Sequence, residues 1–234
     1  MAAVGGQAFA QAPNARVMQY LSVALQEIML LGIPALLLWL AFSDRSSTKA
    51  LFRKPDAVSL GLASVGAVSF VGASVLLTAL WITLLQTVGV GFAWPGSLSN
   101  PQNAAEYLLA LLCAAVVPAL CEELLFRGLL LHLLRRRLGD RAGAILSAVL
   151  FAMLHLSLPG LVTLTAIGLF LSLLVIRTNR LWAAVVFHAV YNGVVIVMNA
   201  LNAQPSLGLV LLFSAVFAAV CWYLVTRKGE QEWN

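Results

Sequence analysis

The chain has 234 residues, of which 62% are apolar and 10% charged, with a formal net charge of +5. A water-soluble domain carries about 45–50% apolar and about 25% charged residues, so a soluble core of this size could not hide this much apolar surface. The basic residues stand in short clusters between apolar segments, which suits anionic lipid headgroups and argues against a nucleic-acid surface.

Residues 1–16 are small and polar, with Gly5, Gly6, Pro13 and Asn14. They lack the basic start and short apolar run of a cleaved signal, so the first apolar segment is read as a signal-anchor. A helix needs about 20 apolar residues to cross a hydrocarbon core of about 30 Å. On that measure spans are predicted near 17–42, 57–93, 104–134, 142–156, 161–176, 181–199 and 207–225. The fourth and fifth are short. The run 57–93 is too long for one upright helix and reads as a tilted helix, a span plus an interfacial piece, or two spans. The fold class is therefore all-α: a polytopic membrane protein of about seven to eight transmembrane helices with a polar intramembrane site. The domain plan is a flexible N-terminal tail over 1–16, one transmembrane domain over 17–225, and a cytoplasmic tail over 226–234.

Basic residues alternate between loops, as the positive-inside rule requires. Arg45, Lys49, Arg53 and Lys54 follow the first span, Arg135, Arg136, Arg137 and Arg141 the third, Arg177 and Arg180 the fifth, and Arg227 and Lys228 the last. The intervening stretches 94–106, 157–160 and 200–206 contain no Lys or Arg. The pattern places the N-terminus outside and the C-terminus in the cytoplasm, and favours an odd number of crossings over 57–93. Cys113, Cys121 and Cys221 lie inside apolar segments without CxxC spacing, which argues against a metal or disulfide framework. Trp182 and Trp222 near span ends fit an aromatic belt.

An ionisable group inside a span is costly and marks function by default. Here these are Glu27, Glu122, Glu123, Arg127, His155 and His188, with His132 near a helix end. Glu123 and Arg127 are four residues apart, share a helix face and can pair. Glu122 points about 100° away, on a face with Ala115, Pro118 and Ala119, where another helix or a substrate could approach closely. His188 and Asn192 also share one face. At about 1.5 Å per residue, Glu122 and His155 each lie roughly 20 Å from the cytoplasmic edge, Asn192 roughly 18 Å and His188 roughly 12 Å. Three helices thus bring polar groups to similar heights, which permits one shared site. Glu27 could face that site or the outer interface.

These residues form three ordered motifs: Glu122-Glu123-x-x-x-Arg127, Phe151-x-x-x-His155 and His188-x-x-x-Asn192. In order and spacing they resemble the EExxxR, FxxxH and HxxxN motifs of the CAAX prenyl protease/ABI (CPBP) family of intramembrane endopeptidases. The likeness covers a motif core of about 104–199. It implies that Glu122 and His155 activate a water for attack on a peptide carbonyl, that His188 and Asn192 stabilise the oxyanion, and that Glu123 and Arg127 brace the site. The residue chemistry agrees. A carboxylate withdrawn from bulk water is a stronger base, and imidazole and amide N–H groups are donors suited to developing negative charge. A glutamate-activated water without metal is one coherent chemistry. A divalent metal such as zinc is the competing chemistry, with Glu122, His155 and His188 as its ligands, although the HExxH pattern of zinc proteases is absent. The partners implied are membrane lipid and a peptide or protein substrate, which in the eukaryotic branch is prenylated. The short loops favour a bacterial inner-membrane protein, for which the resemblance implies peptide processing or bacteriocin self-immunity. Two other classes stand beside this reading: a non-catalytic membrane binding or immunity scaffold, and a proton-coupled transporter, since carboxylates and histidines also build proton relays.

Overall fold

A computed structural model describes residues 14–42, 52–54, 56–93 and 98–226. The expected N-terminal tail lies almost wholly outside the described residues, as do Arg45, Lys49 and the C-terminal tail from 227. Among the described residues there is no strand. Six helical segments are long and apolar enough to cross a bilayer. We number them α1 (Ala15–Ala41), α2 (Ala57–Thr87), α3 (Ala104–Leu154), α4 (Leu161–Thr178), α5 (Leu181–Ala200) and α6 (Leu207–Thr226).

Six is fewer than the seven to eight spans expected, and one of the six, α3, folds back on itself. At Gly139 the backbone takes φ 80°, ψ 172°, a region closed to side chains with a Cβ. Two limbs result, 104–138 and 140–154. The Ser147 hydroxyl lies 3.4 Å from the Phe126 carbonyl, and the Phe126 and Phe151 rings meet edge-on at 5.2 Å. An unbroken helix would separate positions 126 and 147 by roughly 30 Å. The predicted spans 104–134 and 142–156 are these two limbs. The long run before them is one helix, α2, with Asp56 capping its N-terminus by accepting from the Ser59 N–H at 2.7 Å. Its 31 residues extend ~46 Å, more than an upright span needs, so of the three readings of 57–93 a single long helix is correct and two spans are excluded.

The loops sort to two ends as the charge alternation requires. At one end Arg180 reaches the Asp56 carboxylate at 3.1 Å and the Lys54 carbonyl, and Arg177 donates to the Val225 carbonyl at 3.1 Å. At the other, Arg16 pairs with Glu106 at 2.8 Å, and Tyr20 donates to the Ser99 carbonyl at 2.6 Å. At this same end the Trp81 indole donates to the Leu158 carbonyl at 2.8 Å. The basic residues Arg53, Lys54, Arg177 and Arg180 all gather at the first end.

The interior is held by shape and aromatic contacts, since lipid offers little hydrophobic drive between helices. Phe70 of α2 meets Tyr191 of α5 at 5.3 Å and Phe217 of α6 at 4.9 Å; Phe170 of α4 meets Phe187 of α5 at 4.7 Å. Each such pair contributes about 0.5–1.5 kcal/mol. Large side chains such as Leu30, Leu80, Leu207 and Trp222 face outward, the inverse of a soluble protein and what a lipid solvent selects.

Candidate active site

The first limb of α3 is not a uniform helix. Pro118 cannot donate a backbone hydrogen bond and its ring crowds the preceding turn, and the helix widens to π geometry just before it, over Leu112–Val116. A second wide segment, Leu124–Leu130, follows Glu123. Such segments redirect side chains and recur at functional sites. Between them stand Glu122 and Glu123.

Glu123 turns into the bundle. Its Oε1 accepts from Arg127 Nη1 at 3.0 Å and from His188 Nδ1 at 2.8 Å. Arg127 donates through Nη2 to the Gly168 carbonyl of α4 at 2.9 Å, and its guanidinium lies 4.6 Å over the Phe151 ring. The Glu123 and Arg127 side chains are fully buried. The pairing expected from their spacing is present, and it extends to a third residue 65 positions away. Fixing Nδ1 in this way leaves Nε2 as the working atom of His188.

Glu122 turns the other way, into a cavity of about 230 Å³ lined by Gln26, Glu27, Leu30, Leu31, Leu154 and His155 as well as Glu122 itself. Its Oε2 lies 3.9 Å from His155 Nε2, too far for a direct hydrogen bond. Nor does that oxygen find another partner in the protein. His155 ends the second limb, where Leu156 takes a positive φ of 48°. Its Nδ1 lies 2.9 Å from the Phe151 carbonyl. A carbonyl only accepts, so Nδ1 carries the proton, and the neutral imidazole presents the lone pair of Nε2 to the cavity. Phe151 therefore does more than pack: its ring touches those of His155 (4.8 Å) and His188 (5.9 Å), and its backbone fixes the His155 tautomer.

The structure thus joins Glu122 to His155, and Glu123 to Arg127 and His188, around one aromatic ring. Asn192 stands apart. It lines a second cavity of about 270 Å³ with Tyr20, Asn100 and Asn199, and does not line the cavity of Glu122 and His155. Glu27 is the residue that sequence reasoning left undecided; it faces the Glu122 cavity. The single signal for it was a carboxylate in an apolar run. Among the described residues, no group of three or more His, Cys, Asp or Glu is placed to hold a metal ion. Of the expected ligand set, Glu122 and His155 line the cavity, whereas His188 is held through Nδ1 by Glu123.

Residues 104–194 match a family model described as type II CAAX prenyl endopeptidase Rce1-like. The chain is also 28% identical over 91 residues to "Putative membrane peptidase YdiL" of Bacillus subtilis (strain 168). That stretch covers 39% of this chain and 37% of the relative's length. No solved structure matches. The matched segment holds all three motifs, so the paired glutamates, the two histidines and the helices that carry them are similar, over residues 104–194, to those of the CAAX prenyl protease/ABI (CPBP) family of intramembrane proteases.

Proposed function

We propose that the chain hydrolyses a peptide bond at or within the bilayer by means of a water polarised between Glu122 and His155. The observation that carries this reading is the 3.9 Å separation of Glu122 Oε2 and His155 Nε2, both acceptors facing one cavity. A water at ~2.8 Å from each would subtend an angle of about 90°, close to its own H–O–H angle, and could donate one proton to each while a lone pair faces the substrate.

In this reading the water oxygen bonds to the carbonyl carbon as its proton passes to Glu122. The carbonyl π-electrons move to oxygen. His188, oriented by Glu123 and Arg127, meets that oxyanion through Nε2–H in its doubly protonated form. The oxyanion then re-forms the carbonyl, the C–N bond breaks, and the amine leaves with the proton held by Glu122. Asn192, one turn beyond His188 and lining the other cavity, holds the substrate backbone rather than the attacking water. The substrate is a peptide or protein segment in the membrane. The basic end of the bundle faces the cytoplasm of a bacterial cell and the N-terminus lies outside, since Lys and Arg are retained on that side.

A peptide-cleavage assay on detergent-solubilised protein tests the reading. Glu122→Ala is expected to lose about 10²–10⁴-fold in turnover. Equal turnover by the wild type and the variant across a substrate panel would remove Glu122 from the chemistry.

A further inference from the structure

Glu27 reaches the cavity from outside the segment that carries the family motifs. It comes from α1, whose placement is fixed at three levels. Arg16 makes a two-pronged pair with Glu106, Nε to Oε2 at 2.8 Å and Nη2 to Oε1 at 3.1 Å. One turn further, the Gln19 side chain accepts from the Ser99 N–H at 2.9 Å and Tyr20 donates to the Ser99 carbonyl. Beyond Glu27, Gly32 lies so close to α3 that a Cβ there would come within 2.8 Å of Cys121 Sγ, the residue before Glu122. Between these anchors α1 widens to π geometry over Ile28–Gly32, directly after Glu27. Glu27 is thus presented to Glu122 by a braced helix.

The cavity then has an unusual charge inventory. Glu27 and Glu122 both line it, and each has a buried Oε2 without a hydrogen-bond partner in the protein. Glu122 is more than nine-tenths buried. The other polar lining groups are Gln26 and His155, and the rest are leucines. No Lys or Arg lines it. Arg127 is engaged with Glu123 and Gly168, and Arg16 with Glu106. Two carboxylates among apolar walls favour an incoming positive charge, because low dielectric strengthens the attraction and no Lys or Arg lines the cavity. One carboxylate serves the water. The second has no such task.

We infer that Glu27 is a specificity residue that receives a basic side chain, lysine or arginine, of the peptide substrate beside the scissile bond, with the leucines holding the apolar stem of that side chain. This rests on the peptidase reading above for the word substrate, but the binding of the cation does not. The charge at Glu27 would select among peptides without joining the reaction.

The test uses the full chain in detergent micelles and pairs of peptides that differ only in one residue near the cleavage point, lysine against norleucine. Cleavage and binding, the latter by fluorescence anisotropy, are both measured for the wild type, Glu27→Gln and Glu27→Lys. The wild type is expected to favour the lysine peptide at least tenfold in kcat/KM and in affinity. Glu27→Gln should erase that preference while its kcat/KM on norleucine peptides stays within about twofold. Glu27→Lys should favour a glutamate peptide instead. If Glu27→Gln depresses both peptides equally, or changes only the pH profile, Glu27 shares a proton with Glu122 and the inference is overturned. It is also overturned if the wild type shows no preference in either measurement. If no peptide is cleaved but the Glu27-dependent affinity difference persists, the peptidase reading fails and the cation site stands.

Discussion

Glu122 and Glu123 are neighbours in the chain and opposites in the structure. Glu123 shares one oxygen between Arg127 and His188 in a fully buried knot that reaches α4 and α5. Glu122, one residue earlier, faces a cavity that Glu123 does not line, although each keeps one buried oxygen without a protein partner. A helix turns about 100° per residue, so adjacent side chains must look in different directions. The difference teaches how one membrane helix can point two carboxylates at different tasks: the one with fixed cations is tied into the bundle, and in the proposed reading the one facing the cavity serves the chemistry.

The contrast can be broken most directly at Glu123. Glu123→Ala leaves Arg127 buried without its counter-charge, and loss of one partner of a buried pair costs about 3–5 kcal/mol. Thermal unfolding in detergent should show that loss, whereas Glu122→Ala should unfold near the wild-type temperature. Equal destabilisation by the two would end the distinction. Next in size, His155→Gln removes the imidazole acceptor across from Glu122 and is expected to slow cleavage about 10²–10⁴-fold. Its unfolding temperature should stay close to wild type, and a large drop would show that His155 belongs to the frame instead.

A smaller effect sharpens the contrast from a distance. Gly139→Ala places a Cβ in a backbone region that costs about 1–3 kcal/mol. The turn at Gly139 carries the limb that ends at His155, so this variant should disturb the Glu122–His155 spacing and lower activity. The Glu123–Arg127 pair lies within one limb and needs no hairpin. The smallest effect falls on Asn192→Ala, expected to raise KM about tenfold, worth about 1.4 kcal/mol, with kcat little changed. A fall in kcat alone would return Asn192 to the oxyanion.

Much of this was legible in one dimension because membranes impose simple rules. Hydropathy located the long apolar helices, and the spacing of lysines and arginines sorted the loops to the ends where Arg180 meets Asp56 and Arg16 meets Glu106. The Glu123–Arg127 pair followed from four-residue spacing. What spacing could not supply was contact between helices. Nothing local told that His188 would turn to Glu123, or that Asn192 would line a different cavity from His155 although both stand at comparable heights. Height along a helix constrains one coordinate; the rotation of each helix about its axis sets the other two, and the π segments at Ile28–Gly32 and Leu124–Leu130 alter that rotation. Glu27 was undecidable for the same reason.

Arg127 precedes α4 and α5 in the chain, so the Gly168 carbonyl and His188 are made after it. A lone arginine at mid-helix costs about 2.5–3.5 kcal/mol on insertion. Because its counter-ion stands on the same helical face, four residues earlier, α3 arrives already neutralised. The later helices then dock onto an ion pair instead of rescuing a stranded charge, which lets ribosome-paced synthesis and assembly proceed in chain order.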